Sequence, residues 1–137
     1  MSHFTAKEIA FMQSQRLGRL ATVSPEGKPQ NAPVTFRYNA DSDTIDIGGM
    51  NMSQSKKFRN ILKNPHVAFV IDEVIPPWKP RGVEIRGLAQ AIDAGGKAIF
   101  GDSYTGDDAI IRITAEQIIG WGIDNLDPYQ SNNRKVT

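Results

Sequence analysis

Lys56, Lys57 and Arg59 follow two small hydroxyl residues, Ser53 and Ser55, in a run that ends at Asn64-Pro65. The spacing predicts a short helix over 53–63, with Ser53 capping it and Phe58, Ile61 and Leu62 as an apolar stripe. A helix start carries a partial positive charge, and an acidic side chain there is worth about 0.3–1 kcal/mol. This segment does the reverse. It places lysines in the first turns, and no Asp or Glu occurs between Asp46 and Asp72. Free N–H groups, hydroxyls and ammonium groups at one helix end suit an anion, a phosphate above all. Arg59 and Lys63 extend the positive strip. The competing reading is a solvated basic face; the dipole mismatch and the lack of a compensating acid favour the anion.

Few other residues carry chemistry. There is no cysteine, which excludes thiol nucleophiles, disulfides and zinc–thiolate sites. His3 and His66 have no second ligand at metal spacing, so no metal site is expected. No nucleophile elbow, Walker loop or dinucleotide fingerprint is present, and no catalytic residue can be named. If the chain is an enzyme, a bound cofactor carries the reaction. Trp78 lies between Pro77 and Pro80, where it could cap a planar ring or simply pack. Trp121, between Gly120 and Gly122, has the same two readings, and packing is favoured for both. Arg81 and Arg86 suit a second anionic group or surface pairing equally well.

The elements that position these residues alternate turns and strands. Thr5-Ala-Lys-Glu8 reads as a capping box opening a helix to about Leu17-Gly18. Strands are expected at 19–23, 30–38 and 44–48, with Pro33 marking an edge or bulge in the second. His66–Ile71 is a continuous apolar run, expected to be buried on both faces. Pro76–Pro80 is a stiff loop before a long strand at 83–92. Residues 93–108 are loop-like with a short helix near Lys97. Runs at 110–114 and 118–123 are expected to form a final hairpin around Ala115-Glu-Gln117. The tail over 124–137 is polar, ordered at most by a partner subunit. The pattern indicates a mainly β, α+β fold: a small antiparallel barrel with flanking helices.

At 137 residues the chain is a single domain over 1–137, with a net charge of +1, 39% apolar and 23% charged residues. That balance argues against a nucleic-acid or membrane-surface protein. No apolar run approaches the roughly 18–20 residues of a membrane span, so a cytoplasmic location is expected.

Three segments together resemble the split β-barrel superfamily of pyridoxamine 5′-phosphate oxidase. They are Gly18-Arg-Leu-Ala-Thr-Val-Ser-Pro-Glu-Gly-Lys-Pro-Gln30, Ser55-Lys-Lys-Phe-Arg-Asn-Ile-Leu-Lys-Asn-Pro65 and Arg86-Gly-Leu-Ala89. The resemblance implies an FMN-binding type of split barrel, a homodimer with cofactor sites between subunits. Pro77-Trp-Lys-Pro-Arg-Gly-Val83, Ile118-Ile-Gly-Trp-Gly-Ile-Asp124 and Lys57-Phe-Arg-Asn60 are most similar to the branch that uses coenzyme F420. That branch implies hydride transfer from the reduced deazaflavin F420H2 to an unsaturated small molecule. By position, Lys57, Lys56 and Ser55 would anchor the phosphate beside Ser53. Pro33 and Val34 would line the deazaflavin rings, and Trp78, from its own subunit or the partner, would bound the pocket. In its C-terminal part the chain carries Asp124-Asn-Leu-Asp-Pro-Tyr129 where true pyridoxamine phosphate oxidases are expected to carry an Arg-Leu-x-Pro substrate element, so the resemblance does not imply vitamin B6 oxidation. An FMN-dependent oxidoreductase and a non-catalytic cofactor or tetrapyrrole carrier are the alternatives.

Overall fold

A computed structural model describes residues 1–124, 127 and 129–136. Its first helix, α1 (Ala6–Gln13), starts as the sequence predicts. Thr5 Oγ1 accepts from the Glu8 N–H at 3.1 Å, and Glu8 Oε1 accepts from the Thr5 N–H at 2.9 Å. It ends earlier than expected, because Leu17 already pairs with Thr35 in a ladder joining β1 (Leu17–Val23) to β2 (Pro29–Asn39). Pro33 lies where β2 has β1 on one side only, an edge that tolerates its missing N–H.

The chain continues through β3 (Thr44–Gly48), a 3₁₀ turn at Met52–Gln54 and α2 (Lys56–Lys63). Then come β4 (His66–Ile75), β5 (Lys79–Ile92), α3 (Gly96–Phe100), β6 (Ile110–Trp121) and β7 (Ser131–Lys135). The strands run β3-β2-β1-β4-β5-β6-β7, and β6 also pairs with β3. That second pairing closes an antiparallel barrel of the split-barrel type, with helices outside it. Phe69, Ile45, Ile47, Ile71, Ile85 and Ile118 fill its interior. No helix among the described residues is long and apolar enough to cross a membrane.

Several expectations need correction. β4 is not buried on both faces: Val67, Phe69 and Ile71 point inward while Ala68 and Val70 are half-buried outside. The expected hairpin within 110–123 is one continuous strand. Arg86 faces Gln117 and Gly87 faces Ala115, so Glu116 is the extra residue of a bulge. The polar tail is partly ordered by its own chain, since β7 pairs with residues 117–121 of β6; residues 125, 126, 128 and 137 of that tail lie outside the described residues.

Two buried carboxylates tie this frame together. Asp46, fully buried on β3, receives Arg112 of β6 through Nε at 2.8 Å and Nη2 at 3.0 Å, directly across the closing seam. Asn39 Nδ2 donates to its second oxygen at 2.8 Å. Glu8, also fully buried, pairs with Arg134 of β7 through both guanidinium Nη atoms. A Cβ on Gly120 would lie 2.4 Å from Glu8 Oε2, so a glycine is what lets the carboxylate sit on β6.

The N-terminus is held by Asp43. Burial alone would raise its pKa, but hydrogen bonds from the Ser2 and Tyr38 hydroxyls and the His3 N–H together pull it below the usual carboxylate value. A depressed folded-state pKa contributes stability above the unfolded value, about pH 4, and loses it as pH falls through the folded value. Wild-type protein should therefore show a steeper loss of urea midpoint below about pH 4 than Asp43→Asn. Asparagine accepts the φ of +55° found there, so backbone strain does not confuse the comparison. Equal acid slopes in the two proteins would contradict this role for Asp43.

Candidate functional site

Ser55, rather than Ser53, caps α2. Its Oγ accepts from the Phe58 N–H at 3.3 Å and donates to the Met52 carbonyl at 2.6 Å. The 3₁₀ turn over Met52–Gln54 explains the shift, because it ends the irregular chain two residues beyond Ser53. Ser53 is engaged elsewhere: its N–H and hydroxyl both donate to Asp107 Oδ2, at 3.2 and 3.0 Å. Those two bonds hold the Asp107 carboxyl below the usual carboxylate range. The acid that local sequence lacks is thus supplied from the far loop, but to Ser53 and not to the lysines.

Lys56, Lys57, Arg59 and Lys63 form no ion pair among the described residues. Lys56 is exposed and Lys57 half-buried. Both border a groove of about 210 Å³ whose other wall is Leu20, Thr22, Gln30 and Ala32 of β1 and β2. The first-turn N–H groups of a helix have no partner within it, so the α2 N-terminus faces this groove with donors to spare. The stripe that docks α2 also differs from expectation. Phe58, Asn60 and Ile61 are buried, whereas Leu62 is 67% exposed. Asn60 holds the helix to the barrel by donating to Thr22 Oγ1 at 3.0 Å and Gln30 Oε1 at 2.8 Å.

Of the other expected residues, Pro33 lies on the outer face of β2, while the Val34 side chain is buried in the core. The period-2 alternation of a strand lets only Pro33 offer its side chain outside the barrel. Trp78 is 63% exposed at the tip of the β4–β5 hairpin, its Nε1 donating to the Tyr129 hydroxyl at 3.2 Å. It is not near the groove of its own chain. Ala21 pairs with Ala68, and the seven steps from Ala68 to Ile75 carry β4 away by roughly 24 Å at about 3.4 Å per step. Trp121 is half-buried beside Gly82. Arg81 pairs with Glu73 and lies 4.9 Å over the Phe11 ring, and Arg86 pairs with Glu84 at 2.7 Å. Neither is free for a second anion. His66 is exposed, with its N–H donating to Asn64 Oδ1 at 3.1 Å, a structural role.

Sequence reasoning gave no site role to Thr22, Gln30, Asn60 or Asp107. Thr22 and Gln30 lie inside the Gly18–Gln30 segment and Asn60 inside Lys57-Phe-Arg-Asn60, the motifs that carry the resemblance, whereas Asp107 left no signal. A larger cleft, about 570 Å³, lies between α1, β2 and α3. Its guanidinium, Arg37, is already held by the Ile99 carbonyl. The groove at Lys57 therefore remains the better anion site. Its donors match a phosphate, and no acid lines it.

The sequence profile of pyridoxamine 5′-phosphate oxidase matches residues 4–122. The chain belongs to that family, which places it among flavin-type cofactor-binding oxidoreductases of the split-barrel fold. It is 44% identical over 123 residues to the 5a,11a-dehydrotetracycline/5a,11a-dehydrooxytetracycline reductase of Streptomyces rimosus, covering 88% of this chain and 84% of that one. Among solved structures, General Stress Protein 26 from Bacillus anthracis superposes with a TM-score of 0.71 at 22% identity, over 95% of this chain and 96% of the other. A heme binding protein from Mycobacterium smegmatis superposes with a TM-score of 0.66 at 18% identity, over 98% of this chain and 60% of the other. These two likenesses show the fold alone.

Proposed function

We propose that the protein is a reductase that holds a flavin-type cofactor by its phosphate in the groove between α2 and the β1–β2 wall. The observation that carries this reading is the cluster of unpaired cations and free helix donors facing Thr22 and Gln30. The cofactor supplies the hydride, and the acceptor is an unsaturated small molecule. Lys57, half-buried in the groove wall, binds a phosphate oxygen through its ammonium group, and Lys56 adds charge from the rim. Ser55 acts through the helix it caps. Pro33, on the opposite face of β2 from Gln30 and Ala32, does not line this groove, so a ring that met it would have to reach beyond the groove.

FMN is the cofactor that the family match favours. F420 is the second reading, supported by Lys57-Phe-Arg-Asn60 and the Trp78 segment; the 44% identity to a 5a,11a-dehydrotetracycline/5a,11a-dehydrooxytetracycline reductase supports reduction of an unsaturated acceptor with either cofactor. Trp78 lies beyond the end of β4 that runs away from the groove of its own chain, so if it bounds a cofactor site that site belongs to a second subunit, which is the homodimer this reading calls for.

Titration with FMN and with F420, followed by ligand fluorescence, tests the proposal. Losing one charge-assisted phosphate contact costs about 1.5–3 kcal/mol, so Lys57→Ala should weaken binding by roughly 10- to 150-fold. The reading fails if neither cofactor binds below about 100 μM, or if Lys57→Ala binds as wild type does. Tight binding without hydride transfer to any acceptor would indicate a carrier.

A further inference from the structure

The groove has a fixed hydrogen-bond polarity, and its origin is Asn60. This residue is 5% exposed and Thr22 is 2% exposed, so neither amide nor hydroxyl is free to reorient in solvent. A primary amide has two N–H bonds. Asn60 spends both, one on Thr22 Oγ1 and one on Gln30 Oε1. Both partners are therefore used as acceptors. The Gln30 carbonyl is turned towards Asn60, which leaves its NH₂ group for the groove. The Thr22 hydroxyl proton has no acceptor among the described residues, although the side chain is buried and borders the same groove.

The consequence is a mouth in which every fixed polar side chain is a donor. Lys56 and Lys57 donate from the helix side, and Gln30 Nε2 and Thr22 Oγ1 from the strand side. Asn31 at the rim is exposed and unconstrained. Lysines alone would attract any anion without orienting it. Donors on two facing walls suit a group with several acceptor oxygens and no proton of its own. They penalise a ligand end that carries N–H or O–H groups, since an opposed pair of donors leaves both unsatisfied.

We propose that Asn60 is a positioning residue that sets the groove to accept a deprotonated phosphate ester, with Gln30 and Thr22 as its specificity-determining contacts. This rests on reading the groove as the phosphate site.

The test is an NMR titration of ¹⁵N-labelled protein with inorganic phosphate, repeated with FMN and F420, following the Gln30 side-chain NH₂ and the Lys57 backbone amide. Phosphate should shift both. Gln30→Glu keeps an acceptor for Asn60 but turns an oxygen towards the groove. It should weaken phosphate and cofactor binding by about tenfold or more with an unchanged thermal midpoint. Asn60→Asp, which accepts instead of donating, should reverse the Gln30 amide and give a comparable loss. If the Lys57 amide moves while the Gln30 NH₂ stays still, or if Gln30→Glu binds as wild type does, the polarity inference falls and the phosphate site stands. If phosphate shifts both groups but neither cofactor does, the inference stands and the cofactor reading falls. If nothing shifts, both fall.

Discussion

Replacing Arg112 with methionine should cost about 3–5 kcal/mol of folding stability, because it strands a buried carboxylate. Asp46 is fully buried, and Arg112 meets both of its oxygens across the seam where β6 returns to β3. Asn39 and Thr44 still donate to Asp46 in the variant, at 2.8 and 3.3 Å, but neither brings a positive charge. Local fraying offers no escape, since rehydrating Asp46 means opening the barrel. The hydrogen bonding to Asp46 raises the Arg112 guanidinium above its ordinary pKa; desolvation, the next largest effect, opposes it, and the Asp46 charge adds a smaller rise. Urea unfolding of wild type, Arg112→Met and the double variant Asp46→Leu/Arg112→Met decides the matter. The double variant should recover much of the loss, as replacing a whole buried pair by apolar groups is often neutral. A single-variant loss below about 1 kcal/mol would show that the seam does not depend on this pair.

The second large effect belongs to Gly87. A Cβ there would lie 2.0 Å from the Thr114 carbonyl oxygen and 3.1 Å from the Ala115 Cα. Both atoms are backbone, so no side chain can swing aside. The only relief is to part β5 from β6 at the bulge where Gly87 faces Ala115. Overpacking usually costs about 1–3 kcal/mol, and an unyielding neighbour puts Gly87→Ala at or above that upper end. The thermal midpoint should fall by on the order of 10 °C. Cofactor binding by the fraction that folds should be unchanged, as Gly87 does not border the groove. A midpoint within about 2 °C of wild type would mean the ladder yields more easily than its geometry indicates.

Much of this architecture was legible wherever the signal was local. The Thr5–Glu8 capping box, the short helix near Lys97 and the alternation over 44–48 and 83–92 each rest on neighbours a few residues apart. The Arg86-Gly87-Leu-Ala89 segment served as a motif, and the bulge gives it a physical reason. What escaped depends on distant partners. The polar break at Ala115-Glu-Gln117 reads as a turn until Arg86 and Gly87 are seen opposite it. β7 has a polar sequence and is a strand because β6 leaves an edge for it and Glu8 waits for Arg134. At the site, the basic run and Lys57 were visible, whereas the Ser53–Asp107 contact spans 54 residues and the Asn60–Thr22 contact spans 38. The assignment of Ser53 as cap failed for a local reason: the 3₁₀ turn moved the helix start to Ser55.

The divided edge of β6 has a consequence for how copies of this chain can share material. Residues 111–113 close the barrel against β3, and residues 117–121 carry β7. The ring is therefore complete at Trp121, and β7 clasps it from outside through one ladder and the Arg134–Glu8 pair. Two molecules that traded β7 would keep every hydrogen bond of both barrels, and each would still neutralise the other's Glu8. Exchange of this segment is thus nearly free in contacts and limited by the connection that must span it.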